Sequence, residues 1–155
     1  MTAPIFLTAQ GKIRGDDAVA AILVLEDGRY IMQLRDSKPE IFYPDHWGCF
    51  GGAVNDGETP EQSLRRELHE ELEFSVTEAR EFTRFDFDFG RLGQNKVYRI
   101  YYEVPVSTTA FSRLVLHEGS QFRAFSAAEI LSQTRVTPYD AFAIWLHYRQ
   151  ERLKP

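Results

Sequence analysis

At 155 residues, with 43% apolar and 26% charged side chains, the chain has the length of one domain with one good core. A formal charge of −5 speaks against a nucleic-acid polymer as partner, because neutralising a phosphate backbone needs a basic surface. A small phosphorylated ligand stays open, since metal ions can bridge acid to phosphate. The single cysteine, Cys49, excludes an internal disulfide, fits a reducing compartment and reads as buried rather than reactive in its apolar setting.

The first residues, "MTAPIFLTAQGKIRG", lack the basic start and longer apolar stretch of a signal peptide. Residues 1–14 read as a flexible or peripheral segment of a single domain spanning 1–155. The longest apolar run, Ala18 to Leu25, is too short for a membrane helix and reads as a strand, so a soluble cytoplasmic protein with no membrane partner is expected. The turn signal "EDG" follows, and "RYIMQLR" alternates like the returning arm of a hairpin. Asp36 to Trp47 carries Pro39 and Pro44 and reads as a long loop, a kind often tied to function.

Helix signals begin at Thr59, the N-cap, with Pro60 in the first helical position and Gln62 completing a capping box. Leu64, Leu68 and Leu72 recur every four residues and supply the buried stripe. Beyond it, "EFTRFDFDFG" and "KVYRIYYEVPV" read as strands joined by "GRLGQN", with Phe85, Phe87 and Phe89 as a core-facing stripe. "QFRAFS" predicts one more short strand and "SAAEILSQ" a short helix capped by Ser126. Thr137-Pro138 opens a last, amphipathic helix to about Leu153. The pattern is α+β rather than strict βαβ alternation.

The stretch "RRELHEELEF" crowds Glu67, Glu70, Glu71 and Glu73 together, and like charges three or four apart on a helix repel. With about 100° between successive residues, Glu67, Glu70 and Glu71 share one sector beside the leucine stripe, whereas Arg65, His69 and Glu73 point elsewhere as ordinary surface residues. Two readings follow: a solvated acidic face, or a site for a hard divalent cation that takes oxygen ligands.

The longer run "GAVNDGETPEQSLRRELHEELEF", from Gly52 to Phe74, resembles the Nudix box. That motif runs Gly, five residues, Glu, seven residues, then Arg-Glu-aliphatic-x-Glu-Glu-x-Gly-aliphatic. Gly52, Glu58, Arg66, Glu67, Leu68, Glu70 and Glu71 fall on it. Glu73 stands where the family has glycine, and Phe74 is apolar without being aliphatic. The resemblance implies a Nudix-type mixed β-sheet sandwiched between helices and an Mg²⁺-dependent pyrophosphohydrolase, with Mn²⁺ as a substitute. It would cleave a nucleoside diphosphate linked to another moiety, of the nucleotide-sugar or ADP-ribose type or a nucleoside triphosphate. Its partner is then a small-molecule nucleotide, and a homodimer stays open.

The same resemblance implies that Glu67, Glu70 and Glu71 bind metal, joined by a carbonyl of Gly51 or Gly52, while Arg66 pairs with Glu58 and holds the glutamates in place. Glu118 in "LHEGSQFRAF" is similar in position to a later family acid that serves as metal ligand or general base; His117 beside it is an alternative base. Arg35 could reach a phosphate, and Phe42, Tyr43 and Trp47 could stack on a nucleobase. Phe89 occupies the position of the proline that marks many ADP-ribose enzymes, and Gly90, Arg91 and Leu92 stand where dinucleoside polyphosphate enzymes carry a tyrosine. Two other classes compete: a nucleotide-sensing Nudix domain without turnover, and a plain acidic surface.

Overall fold

The computed structural model describes residues 15–132 and 135–150, so the expectation for residues 1–14 lies outside the described residues. The chain is built round β1 (Ala18–Leu25), whose alternate residues are buried on opposite faces. β1 turns through Gly28, at φ 84°, into β2 (Tyr30–Leu34), and the pair stays hydrogen-bonded only near Leu23 and Val24. The strands then splay, and the chain returns into the gap. β3 (Trp47–Gly48), at the end of the expected loop, pairs with Gln33 and Leu34 of β2, while β4 (Phe50–Ala53) pairs with the first half of β1.

α1 (Pro60–Leu72) follows, then β5 (Arg80–Asp88), β6 (Lys96–Val106), the short α2 (Thr108–Phe111), β7 (Gln121–Phe125), α3 (Ala127–Ser132) and α4 (Pro138–Arg149). β6 lies parallel to β1 along its whole length and antiparallel to the edge strand β5; β7 closes the other side against β2. The result is a seven-stranded mixed sheet. Leu64, Leu68 and Leu72 of α1 pack on one face against Val19, Ala21, Phe50, Ile100 and Val104. Ile130 of α3 and Ala143 and Ile144 of α4 pack on the other against Ala20, Ile22, Met32, Tyr101 and Phe125. The expected α+β sandwich is what the chain forms.

Two expectations need correction, and one element was not foreseen. Short α2, capped by Ser107 Oγ accepting from Ala110 N, has no apolar period of its own and was not expected. Of the expected stripe only Phe85 faces the core, 5.4 Å from Tyr101 and 5.5 Å from Phe142, whereas Phe87 and Phe89 are half-buried and stack on each other at 5.8 Å. Phe87 lies at the far end of the edge strand and Phe89 just past it, beyond the part of the sheet face that α4 covers. α4 departs from the amphipathic expectation, burying Asp140 and His147 beside Ala143 and Ile144 while exposing Phe142, Trp145 and Tyr148.

The buried polar groups on α4 are satisfied by the sheet. Asp140 accepts from Tyr101 Oη at 2.7 Å, Thr137 Oγ1 at 2.6 Å, Cys49 N at 3.0 Å and an Arg99 guanidinium nitrogen at 3.2 Å. His147 bridges Tyr30 Oη and Glu103. Burial, with Asp140 beside it, pushes the Cys49 thiol well above its ordinary range, so the thiol is as inert as its setting suggested. Asp140→Ala would strand Arg99 as an unpaired buried cation, so urea unfolding is expected to show a loss of about 3–5 kcal/mol, whereas an exposed change such as Glu81→Ala stays near zero.

Candidate active site

The local chemistry of α1 sets its phase. Thr59 Oγ1 accepts from Gln62 N at 3.2 Å and Gln62 Oε1 accepts from Thr59 N at 2.8 Å, so the capping box closes and fixes where the first turn begins. The leucine stripe, fully buried, then fixes the rotation of the helix on the sheet. The three acids beside that stripe grade from core to solvent. Glu71 is 3% exposed, the Glu67 side chain 14% and the Glu70 side chain 58%.

Arg66 ties this gradient together. Its guanidinium donates to Glu58 Oε1 at 2.6 Å, Glu67 Oε1 at 2.8 Å, Glu70 Oε2 at 3.2 Å and the Ala53 carbonyl at 3.1 Å. Glu58 also accepts from Asn55 N, and these bonds hold its carboxyl below the usual range; the same bonds raise Arg66 above its own. Burial lifts the Glu67 carboxyl in spite of Arg66, with Glu70 and Glu118 adding to the rise.

β4 supplies the wall facing α1. Gly51 N donates to Glu71 Oε2 at 3.1 Å, which ties the strand to the most buried of the acids. Gly52 gives space: a Cβ there would meet the Glu67 carboxylate at 2.5 Å. Gly51, at φ 143°, has Val19 O where a Cβ would be, only 2.1 Å away. Glu71 and Gly51 line an open cleft of about 110 Å³ with Gln33, Arg35, Lys38, Glu118 and Gly119. That is far below the volume of a whole-nucleotide pocket, and suits the phosphate end of a ligand. A wider recess of about 610 Å³, lined by Leu25, Phe74, Pro105 and Ala110, is reached by none of the box carboxylates.

Burial, then Glu118 and Glu67, push the Glu71 carboxyl up to about 8, only partly offset by the Gly51 N–H and the Gln33 amide. Among the described residues, no three His, Cys, Asp or Glu side chains converge into a ready-made metal cage. The donor set nevertheless fits Mg²⁺, which prefers carboxylate oxygens and keeps several waters of its own. The space Gly52 leaves for Glu67, and the mutual repulsion of Glu67, Glu71 and Glu118 that a cation would relieve, support the same fit.

The family model for the NUDIX domain matches residues 15–146. The chain belongs to the Nudix family. It is 32% identical over 80 residues to an oxidized purine nucleoside triphosphate hydrolase of Danio rerio, a stretch covering 52% of this chain and 48% of that protein. It is 49% identical over 39 residues to an 8-oxo-dGTP diphosphatase of Haemophilus influenzae, covering 25% of this chain and 29% of the relative. The matched stretches thus span about half of one curated relative and under a third of the other. The MutT protein of Methanosarcina mazei Go1 shares the fold, with a TM-score of 0.71 at 20% identity over 90% of this chain and 96% of that one.

The Nudix box ends without its glycine. Glu73 takes the left-handed conformation itself, at φ 52° and ψ 29°, which costs a residue with a Cβ about 1–2 kcal/mol. Its N–H still reaches His69 O at 2.9 Å, and Phe74 N reaches Leu68 O at 3.2 Å, so the helix stops where glycine would stop it. Glu73 lies at the surface, as the helical phase suggested, and its Oε1 stands 2.6 Å from Nε2 of the equally exposed His117.

The remaining candidates divide. Arg35 lines the cleft, anchored by Nε to Phe42 O at 2.9 Å. Phe42, Tyr43 and Trp47 are half-buried and lie outside the cleft lining: Tyr43 packs edge-on to His46 and Tyr139, and Trp47 meets Phe125 at 4.7 Å. Gln33 and Lys38 were missed. Gln33 had a signal, as a lone amide in the otherwise apolar strand "YIMQL"; Lys38 had none.

Glu71 supplies a test by linkage. Its folded pKa of about 8 lies above the ordinary carboxylate value, so between about pH 4.5 and 8 the folded state binds more protons than the unfolded one and metal-free stability falls as pH rises. The melting temperature in chelator is expected to drop across that window, the drop to shrink in Glu71→Gln to the smaller part due to Glu67, and Mg²⁺ to raise wild-type melting more at pH 8 than at pH 6. Gly52→Ala, which pushes on Glu67, should lose most of the Mg²⁺ response while still folding.

Proposed function

We propose that this Nudix protein is a divalent-cation-dependent pyrophosphohydrolase acting by water attack on phosphorus, with nucleoside triphosphates, oxidised purine ones among them, as its foremost substrate class. One observation carries the reading. Glu71 is buried at a cleft beside Glu118 and Glu67, and its own hydrogen-bond donors, the Gly51 N–H and the Gln33 amide, are neutral, so its charge is left for a cation. The substrate class is supported by the names of the two curated relatives. Neither the proline that marks many ADP-ribose enzymes nor the tyrosine of dinucleoside polyphosphate enzymes is present, Phe89 and Gly90 to Leu92 standing at those positions. No described helix is long and apolar enough to cross a membrane, and the lone buried Cys49 suits a reducing compartment such as the cytoplasm.

Glu67, Glu70 and Glu71 would hold the cation. When bound, it would neutralise pyrophosphate oxygens and make a coordinated water more acidic. Arg66 keeps Glu67 and Glu70 in place from behind, with Glu58 and Ala53 O as its own anchors. Arg35 and Lys38 meet the phosphate charge at the cleft wall. Glu118, exposed on the loop before β7 and lining the same cleft, accepts the proton of the attacking water.

The test is phosphate release, coupled to a pyrophosphatase and a phosphatase, from triphosphates, 8-oxo-dGTP, ADP-ribose, nucleotide sugars and dinucleoside polyphosphates, with Mg²⁺ or chelator. Triphosphate turnover is expected, abolished by chelator and by Glu70→Gln. Glu118→Gln should lower kcat by about 10²- to 10⁴-fold, the usual weight of a positioned base. Turnover indifferent to chelator would sink the proposal. Tight nucleotide binding without turnover would instead mark a sensing domain.

A further inference from the structure

The carbonyls at the end of α1 are met by the loop that carries Glu118. Val115 N donates to Leu72 O at 3.1 Å and His117 N to Glu71 O at 2.9 Å, filling acceptors that a helix C-terminus leaves open. On the far side of Glu118, Gly119 adopts φ 87° and lies so close to β2 that a Cβ would meet Gln33 Oε1 at 2.8 Å and Leu34 O at 3.0 Å. Ser120 N then donates to Leu34 O at 2.9 Å. Glu118 is therefore slung between two anchors, the end of α1 and the end of β2, across the cleft that holds Glu71.

Among the described residues, one tie in this arrangement joins side chains across the α1 end, and it uses the residue that departs from the Nudix box. His117 Nε2 and Glu73 Oε1 stand 2.6 Å apart. A glycine at position 73 would end the helix at lower backbone cost but could not reach the loop. We propose that Glu73 and His117 form a latch that positions Glu118 over the cleft, making both of them positioning residues for the hydrolysis. The inference rests on the hydrolase reading for its kinetic consequence, though not for its structural one.

The competing account is an incidental surface pair. Both side chains are about half exposed, at 49% and 56%, and such pairs shift a local equilibrium by only about twofold to fivefold. The latch needs no more than that, because the backbone bonds of Val115 and His117 already place the loop and the side-chain pair only biases how long it stays there. It is the location beside Glu118, not the strength, that gives the pair a function.

The experiment compares wild type, Glu73→Gly, Glu73→Gln, His117→Ala and the Glu73→Gly/His117→Ala double variant. Readouts are steady-state turnover of 8-oxo-dGTP, thermal melting, and hydrogen exchange at the Val115 and His117 amides. Glu73→Gly and His117→Ala should each lower kcat by about twofold to fivefold with KM unchanged, and exchange at both amides should speed by a similar factor. The double variant should lose no more than the worse single one. Glu73→Gly should melt at or above the wild-type temperature, since it relieves the left-handed strain, and Glu73→Gln, which keeps an acceptor oxygen, should stay near wild type. Unchanged kcat and exchange in both single variants, or losses that multiply in the double one, overturn the latch. If wild type turns nothing over, the hydrolase reading fails, and the exchange data alone decide: faster exchange in both variants supports the latch and unchanged exchange overturns it.

Discussion

The structure of the site depends on one guanidinium. Arg66 joins Glu58 in the turn before α1, the Ala53 carbonyl at the end of β4, and Glu67 and Glu70 on its own helix. Crowded carboxylates on adjacent turns would otherwise repel into different rotamers. Because Arg66 is rooted in the strand–turn–helix connection, it converts that repulsion into a fixed geometry. It is charge-assisted at each contact and planar, which suits it to hold several acceptors at once. Glu71 is the acid it does not hold, and Glu71 is the one that burial leaves most perturbed.

The sheet makes this possible by splaying. β1 and β2 separate after a brief pairing, and β3 and β4 fill the gap, pairing with β2 and β1 in turn. Two consecutive glycines are the consequence. Gly51 has no room for a Cβ against β1, and Gly52 has none against Glu67, so the acidic helix approaches the strand closely enough for a backbone N–H to bond Glu71. Gln33 near the end of β2 and Arg35 just past it form the opposite wall of the cleft. Packing on the apolar face of α1 and chemistry on its acidic edge are thus set by one rotation of the helix, fixed by Leu64, Leu68 and Leu72.

On the other face, α4 shows how a buried polar network overrides helical patterning. Asp140 and His147 are inside because Arg99, Tyr101, Tyr30 and Glu103 of the sheet offer them partners, and each bond offsets the desolvation that would otherwise expel them. Turning those residues inward turns Phe142, Trp145 and Tyr148 outward. Asp140 also accepts from Cys49 N in the residue between β3 and β4, so this network braces the insert that carries the glycines.

What the sequence by itself determined is what neighbours along the chain decide. The capping box of Thr59 and Gln62, the leucine period and the spacing of Arg66 to Glu70 act over three or four residues, and the box from Gly52 to Glu71 is a contiguous strand–turn–helix unit. Helix α1, the order of the main strands and the acid edge were legible for that reason. Only the tertiary structure decided how deeply each acid is buried, that Gln33 and Glu118 meet Glu71, that Trp47 is taken up by Phe125, and that Glu73 has a partner in His117. Those are contacts between segments far apart in the chain, set by how the sheet splays and which face each helix lays on it. No local period or turn signal encodes the result of that packing.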